Sequence, residues 1–134
     1  MTGPGADRAD DATAPSLLVV DGANVVGSRP DGWWRDRPGA ARTLHDRLVA
    51  ADVEYDVVLV LEGAARAGVP VGREGHVLTV HAAGHGDDTI AAEARSAAGA
   101  GHRVSVVTAD RELRARVTAE GATVLGPSWL HHRI

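Results

Sequence analysis

The chain has 134 residues, with 14 basic and 18 acidic side chains and a formal net charge of −4 at pH 7, which suits one soluble domain. It has no cysteine and no lysine. Disulfides, thiolate catalysis, Cys-ligated zinc, Schiff-base chemistry and a phosphate-loop lysine are therefore excluded.

The opening stretch "MTGPGADRADDATAPS" is small and polar and has no apolar signal region, so residues 1–15 read as a disordered lead-in to a domain over 16–134. No apolar run reaches the ~20 residues of a membrane span, so no membrane partner is expected and the cytoplasm is the default location. "SLLVVDGANVV" gives a buried strand over 17–20 that ends in an Asp-Gly turn. "GSRPDGWWRDRPG" reads as a loop. "AARTLHDRLVAAD" spaces Ala41, Leu44, Leu48 and Val49 as the apolar face of a helix. "YDVVLVLEG" is a second apolar strand, "AARAGVPVGREG" a loop and "HVLTVHAAG" a third strand. A helix over "DDTIAAEARSAAGAG" closes at Gly99 and Gly101. Strand "HRVSVVTAD", helix "RELRARVTAEG", a last strand in "ATVLGPSWLHHRI" and a tail complete the chain. Apolar strands alternating with helices predict a mostly parallel sheet covered on both faces, an α/β/α sandwich.

In such sheets ligands bind beyond the carboxyl ends of the strands. Asp21 ends the first strand, Glu62 the second, and Asp110 follows the fourth; Asp87 and Asp88 open the helix after the third. With a strand order of 3-2-1-4-5, Asp21 and Asp110 are expected side by side. Each carboxylate pair at ~5 Å and an effective dielectric of ~20 costs about 3 kcal/mol before relaxation. Such a cluster calls for a proton, arginines or a divalent cation, and oxygen-only donors favour Mg²⁺ or Mn²⁺. A cation of this kind activates water and steadies charge on a phosphoryl oxygen, the chemistry of phosphodiester hydrolysis. Asp87 shares the helix face of Ile90, Ala91 and Ala94, whereas Asp88 is rotated by about 100° toward Arg95. Asp87 is thus the expected inner ligand and Asp88 the outer one.

The motifs "VVDGANVV" (19–26), "VLVLEG" (58–63), "GDDTIAAEA" (86–94) and "VVTADRELRARV" (106–117) together resemble the NYN-domain branch of the PIN-like ribonucleases. The resemblance implies a PIN-like sheet, a Mg²⁺ or Mn²⁺ site and RNA as substrate. It makes Asp21 the first metal acid and Asn24 its partner amide, with Asp87 or Asp88 and Asp110 as further acids. Where many members carry Asp-Gly after the second strand, this chain has Glu62-Gly63.

Each acid also has a plainer account. Asp87, Asp88 and Asp110 stand where helix caps and dipole partners stand, and Asp21 could form a turn. Trp33 and Trp34, flanked by Arg29, Arg35 and Arg37, suit base stacking and backbone binding, or one ring seals the helix against the sheet. Arg66 and Arg111 are candidate phosphate contacts or solvated surface. His131 and His132 read as tail. Neither GxGxxG nor GxxxxGK[ST] follows the first strand, which disfavours a dinucleotide enzyme or an NTPase. The expected activity is a metal-dependent endoribonuclease. The alternatives are an inactive RNA- or protein-binding module and a metal-dependent nucleotide phosphohydrolase. Small domains with an exposed rim often pair, so a homodimer is admitted as a partner.

Overall fold

The computed structural model describes residues 15–134, so the disordered segment expected over 1–15 lies outside them except for Pro15. Six strands form one sheet: β1 (Leu17–Asp21), β2 (Asp56–Leu61), β3 (Gly72–Glu74), β4 (Val77–His81), β5 (Val104–Val107) and β6 (Thr123–Leu125). Their order is β3-β4-β2-β1-β5-β6. All neighbours are parallel except β3, which pairs antiparallel with β4. Without β3 the remaining strands stand in the expected 3-2-1-4-5 order.

The apolar runs explain why both faces are covered. Along β1, Leu18 and Val20 pack with one set of buried residues and Leu17 and Val19 with another. Along β2, Val57, Leu59 and Leu61 fall on the first face and Val58 and Val60 on the second, as the two-residue strand period requires. The first face receives α1 (Gly22–Val26), α2 (Arg37–Ala50) and α5 (Pro127–His131) through Val25, Ala41, Leu44, Leu48 and Leu130. The second receives α3 (Gly86–Gly99) and α4 (Arg111–Ala119) through Ile90, Ala91, Ala94, Leu113 and Val117. The result is a three-layer PIN-like α/β sandwich.

Several segments expected to be irregular are structured, among them α1 at the expected Asp-Gly turn and a 3-10 turn over Trp33–Arg35 in the expected loop. Residues 63–68 form 3-10 turns, and β3 adds an edge hairpin through Gly75, which sits at φ 59. The exposed Gly-Arg-Glu of β3 has no apolar alternation to announce a strand. The C-terminal segment forms α5, which starts on Pro127, a favoured first helical residue, and buries Leu130 completely. His131 is therefore not loose tail: its Nε2 lies 3.0 Å from Ser28 Oγ on the α1 side.

Candidate active site

Strand parity aims three rim positions at one face. Asp21 continues the Leu17–Val19 series, Glu62 the Val58–Val60 series and Thr108 the Val104–Val106 series, all toward α3 and α4. Asp21 is 7% exposed and Thr108 fully buried. The Thr108 hydroxyl donates to Asp21 Oδ2 at 2.9 Å and accepts the Asp110 amide at 3.1 Å. The Asn24 amide donates to Asp21 Oδ1 at 3.3 Å, so Asp21 also caps α1. The Asn24 side-chain oxygen accepts the Ala109 amide at 2.8 Å, which ties the β1 turn to the β5 turn. Gly22 is required for space: a Cβ there would lie 2.6 Å from the Val60 carbonyl oxygen.

Asn24 thus orients the β5 turn as well as Asp21. Thr108 is the residue of this rim that sequence reasoning passed over. Its signal was the fourth residue of the "SVVT" run, one strand period past Val106.

Glu62 Oε2 accepts the Gly86 amide at 2.6 Å and so closes the first turn of α3, whose N-cap residue His85 makes no side-chain cap. The longer side chain at this position reaches a neighbouring helix start. Asp87 is half-buried and Asp88 exposed. Asp88 turns outward and accepts from Arg116 at 2.7 Å; Arg95, its expected companion, pairs with Glu120 instead. Neither acid of the pair is the N-cap. Asp110, by contrast, does cap α4, accepting the Leu113 amide at 2.9 Å.

The inner acids feel one another. Burial pushes the Asp21 carboxyl above its ordinary range against the pull of the Thr108 and Asn24 hydrogen bonds, and the charges of Asp87 and Glu62 add to the rise. Burial also raises Asp87, and the charges of Asp110 and Glu62 reinforce it, while His85 and Arg116 pull the other way. Asp110 therefore bears on Asp87, and it reaches Asp21 by way of Thr108 rather than directly.

The donors on this rim are hard oxygens, the type a divalent ion such as Mg²⁺ or Mn²⁺ takes, and His85 and Arg116 oppose their charge at Asp87 only in part. Among the described residues no three His, Asp or Glu side chains gather closely enough to form a cage.

The Trp loop lies beside this rim. Trp34 is 52% exposed, so it does not seal the helix against the sheet. Trp33 is half-buried and meets it edge-on at 6.0 Å. The Arg35 guanidinium stands 5.8 Å from the Trp34 ring and that of Arg37 5.3 Å from Trp33. Arg29 and Arg111 are exposed. Arg66 is held at its own turn, donating to the Gly63 carbonyl at 3.1 Å and the Ala82 carbonyl at 3.4 Å. Trp129 packs at the far end against Tyr55 and Arg133.

The sheet order and the strand-end rim define a chain of PIN-like α/β architecture. Solved structures bear this out at the level of fold. The crystal structure of Rae1 (YacP) from Bacillus subtilis superposes with a TM-score of 0.70 at 17% identity, covering 87% of this chain and 71% of that one. A tryptophan-to-leucine mutant of the same protein gives 0.70 at 18% identity, with 87% and 73% covered. No protein-family model matches the chain, and no curated protein does. Among the described residues no helix is long and apolar enough to cross a membrane.

Proposed function

We propose that this chain is a metal-dependent endoribonuclease of the NYN type, acting at the rim formed by Asp21, Asp87 and Asp110 with Glu62 in support. The observation that carries the proposal is the buried Asp21 carboxylate at the end of a central strand, its pKa raised, like that of Asp87, first by burial and then by the charges of the neighbouring acids. Buried acids sharing a rim at a topological switch point are a frequent functional arrangement.

Asp21 and Asp87, whose charges act on one another, would supply the one or two carboxylates for Mg²⁺ or Mn²⁺, with Asp110 acting on Asp87 from alongside and Asp88 committed to Arg116. When bound, the ion supplies positive charge for the phosphoryl oxygens and makes water acidic enough to attack at neutral pH. The chain's own part is positioning. Thr108 and the Asn24 amide fix both oxygens of Asp21, and Asn24 locks the Asp110 turn to the Asp21 turn. Arg29, Arg35 and Arg111 provide exposed cations for the phosphate backbone, with Trp34 offering a face to a base. The reaction consumes one water and breaks one P–O bond.

The test is Asp21→Asn, which keeps the size of the side chain. The variant should lose Mn²⁺-dependent cleavage of RNA while its circular dichroism and melting stay those of a folded domain. A variant as active as the parent would overturn the proposal. A second reading, an RNA-binding module without activity, draws on the commitment of Glu62 to the Gly86 amide and the lack of a closed cage among the described residues. Calorimetry separates the two: no heat of Mn²⁺ binding at millimolar ion favours the module.

A further inference from the structure

Glu62 stands one residue past β2, close enough for its charge to act on Asp21 and on Asp87. A carboxylate in that place can join an ion or hold the protein. Here Oε2 accepts the Gly86 amide at 2.6 Å, a short charge-assisted bond. Gly86 is buried and is the first residue of α3. Its amide is one of those that a helix start cannot pair within the helix. His85, the N-cap residue, makes no side-chain bond to it. Glu62 thus does from a neighbouring strand what a local Asp or Ser cap does elsewhere.

The chain leading to Gly86 is tied to the same strand end. The Ala82 amide donates to the Leu61 carbonyl at 2.8 Å. Gly63, at φ 57, turns the chain after Glu62. Arg66 then bridges the two sides, donating to the Gly63 carbonyl at 3.1 Å and the Ala82 carbonyl at 3.4 Å. Residues 83–85 lead from this knot to Gly86, and the Glu62 bond closes the circuit. Asp87 is the next residue, so its half-buried place depends on where that circuit starts the helix. An aspartate at 62 would be one methylene shorter, about 1.5 Å, and out of hydrogen-bond range of the Gly86 amide. The length of Glu62 is what the bond requires.

We infer that Glu62 is a positioning residue: through the Gly86 amide it fixes the start of α3, and with it Asp87, and it does not ligate the ion itself. The ion rests on the nuclease reading above; the bond to α3 does not.

The test uses the full chain and a charge-matched pair, Glu62→Gln and Glu62→Ala. Both lose the carboxylate, and only the glutamine keeps an acceptor for the Gly86 amide. Calorimetric titration at pH 7 should show Mn²⁺ bound by Glu62→Gln roughly tenfold or more tightly than by Glu62→Ala, the usual effect of losing a residue that orients a ligand. Loss of a direct ligand would instead weaken both alike. Amide exchange and ¹⁵N relaxation supply a readout that needs no ion. Gly86 should be protected in the parent and in Glu62→Gln and exchange at least about tenfold faster in Glu62→Ala. The Asp87 backbone order parameter should fall in Glu62→Ala from the rigid ~0.85 toward 0.6. In the parent saturated with Mg²⁺, Gly86 should stay protected.

Mn²⁺ constants for the two variants within about twofold of each other, an Asp87 as rigid in Glu62→Ala as in the parent, or a Gly86 amide released by Mg²⁺ would each overturn the inference. The two readings fail separately. A parent that binds Mn²⁺, with both variants weakened equally, keeps the nuclease and sinks the positioning role. A parent that binds no Mn²⁺ sinks the nuclease, and the Gly86 and Asp87 signals still decide whether Glu62 sets the start of α3.

Discussion

Thr108→Val tests the strand-end network most directly. Valine keeps the shape and β-branching of a fully buried side chain and removes one hydroxyl. That hydroxyl donates to the Asp21 carboxylate at 2.9 Å and accepts the Asp110 amide at 3.1 Å. A hydrogen bond to a charged group is worth about 1.5–3 kcal/mol, and an amide left unpaired adds a cost that nearby solvent reduces. The variant should lose about 2–4 kcal/mol at pH 7, a large part of the ~5–15 kcal/mol of an ordinary domain. The deficit should also depend on pH. Asp21 has its pKa raised above the ordinary 3.8, so at pH 3.8 it is mostly protonated in the folded state and the lost bond is a neutral one. There the difference between parent and variant should shrink to about 1 kcal/mol. Thr108→Ser keeps the hydroxyl and loses a buried methyl, so its deficit should not vary with pH. Urea unfolding of the three proteins at both pH values provides the measurement. A Thr108→Val deficit below about 0.5 kcal/mol at pH 7, or one of equal size at both pH values, would refute a charged Asp21 held by Thr108.

Cation binding should weaken as pH falls toward the ordinary 3.8 through the raised pKa values of Asp21 and Asp87, because protons compete for the same oxygens; Mn²⁺ titrations from neutral pH down to pH 3.8 check this, and a pH-independent affinity contradicts it. In the metal-free protein the same two groups act with the opposite sign on stability. Folding raises their pKa values, so their ionisation penalty is fully present above the folded values and relieved as pH drops toward the ordinary 3.8. Glu62→Gln retains an acceptor for the Gly86 amide and should change stability by less than about 0.5 kcal/mol, whereas Glu62→Ala should cost about 1–2 kcal/mol. Thermal or urea unfolding distinguishes them, and equal stabilities would mean that the 2.6 Å bond contributes nothing.

What was legible in the sequence was carried by period and by strand ends. Continuous runs such as Val57–Leu61 have no polar residue to place in water, so both faces must be covered. The same two-residue period sends Asp21 and Glu62 toward α3, and helical phase correctly turned Asp87 inward and Asp88 outward. What stayed hidden depends on partners distant in the chain. Thr108 becomes an anchor through a residue 87 positions away. The Glu62 cap on α3 needs the β2 end and the α3 start to be brought together by the sheet. β3 is a strand because β4 offers it an edge, and its own three residues state no preference.

The rim residues owe their direction to strand phase, and this sets which changes the molecule can absorb. Exchanging one side chain at position 21, 62 or 108 alters the chemistry of a fixed station. Inserting or deleting a single residue within β1 would instead rotate its terminal carboxylate by half a turn, onto the layer of α1 and α2, and strand Thr108 without its acceptor. Variation that preserves register can retune this rim in small steps, whereas length changes inside the central strands erase it at once.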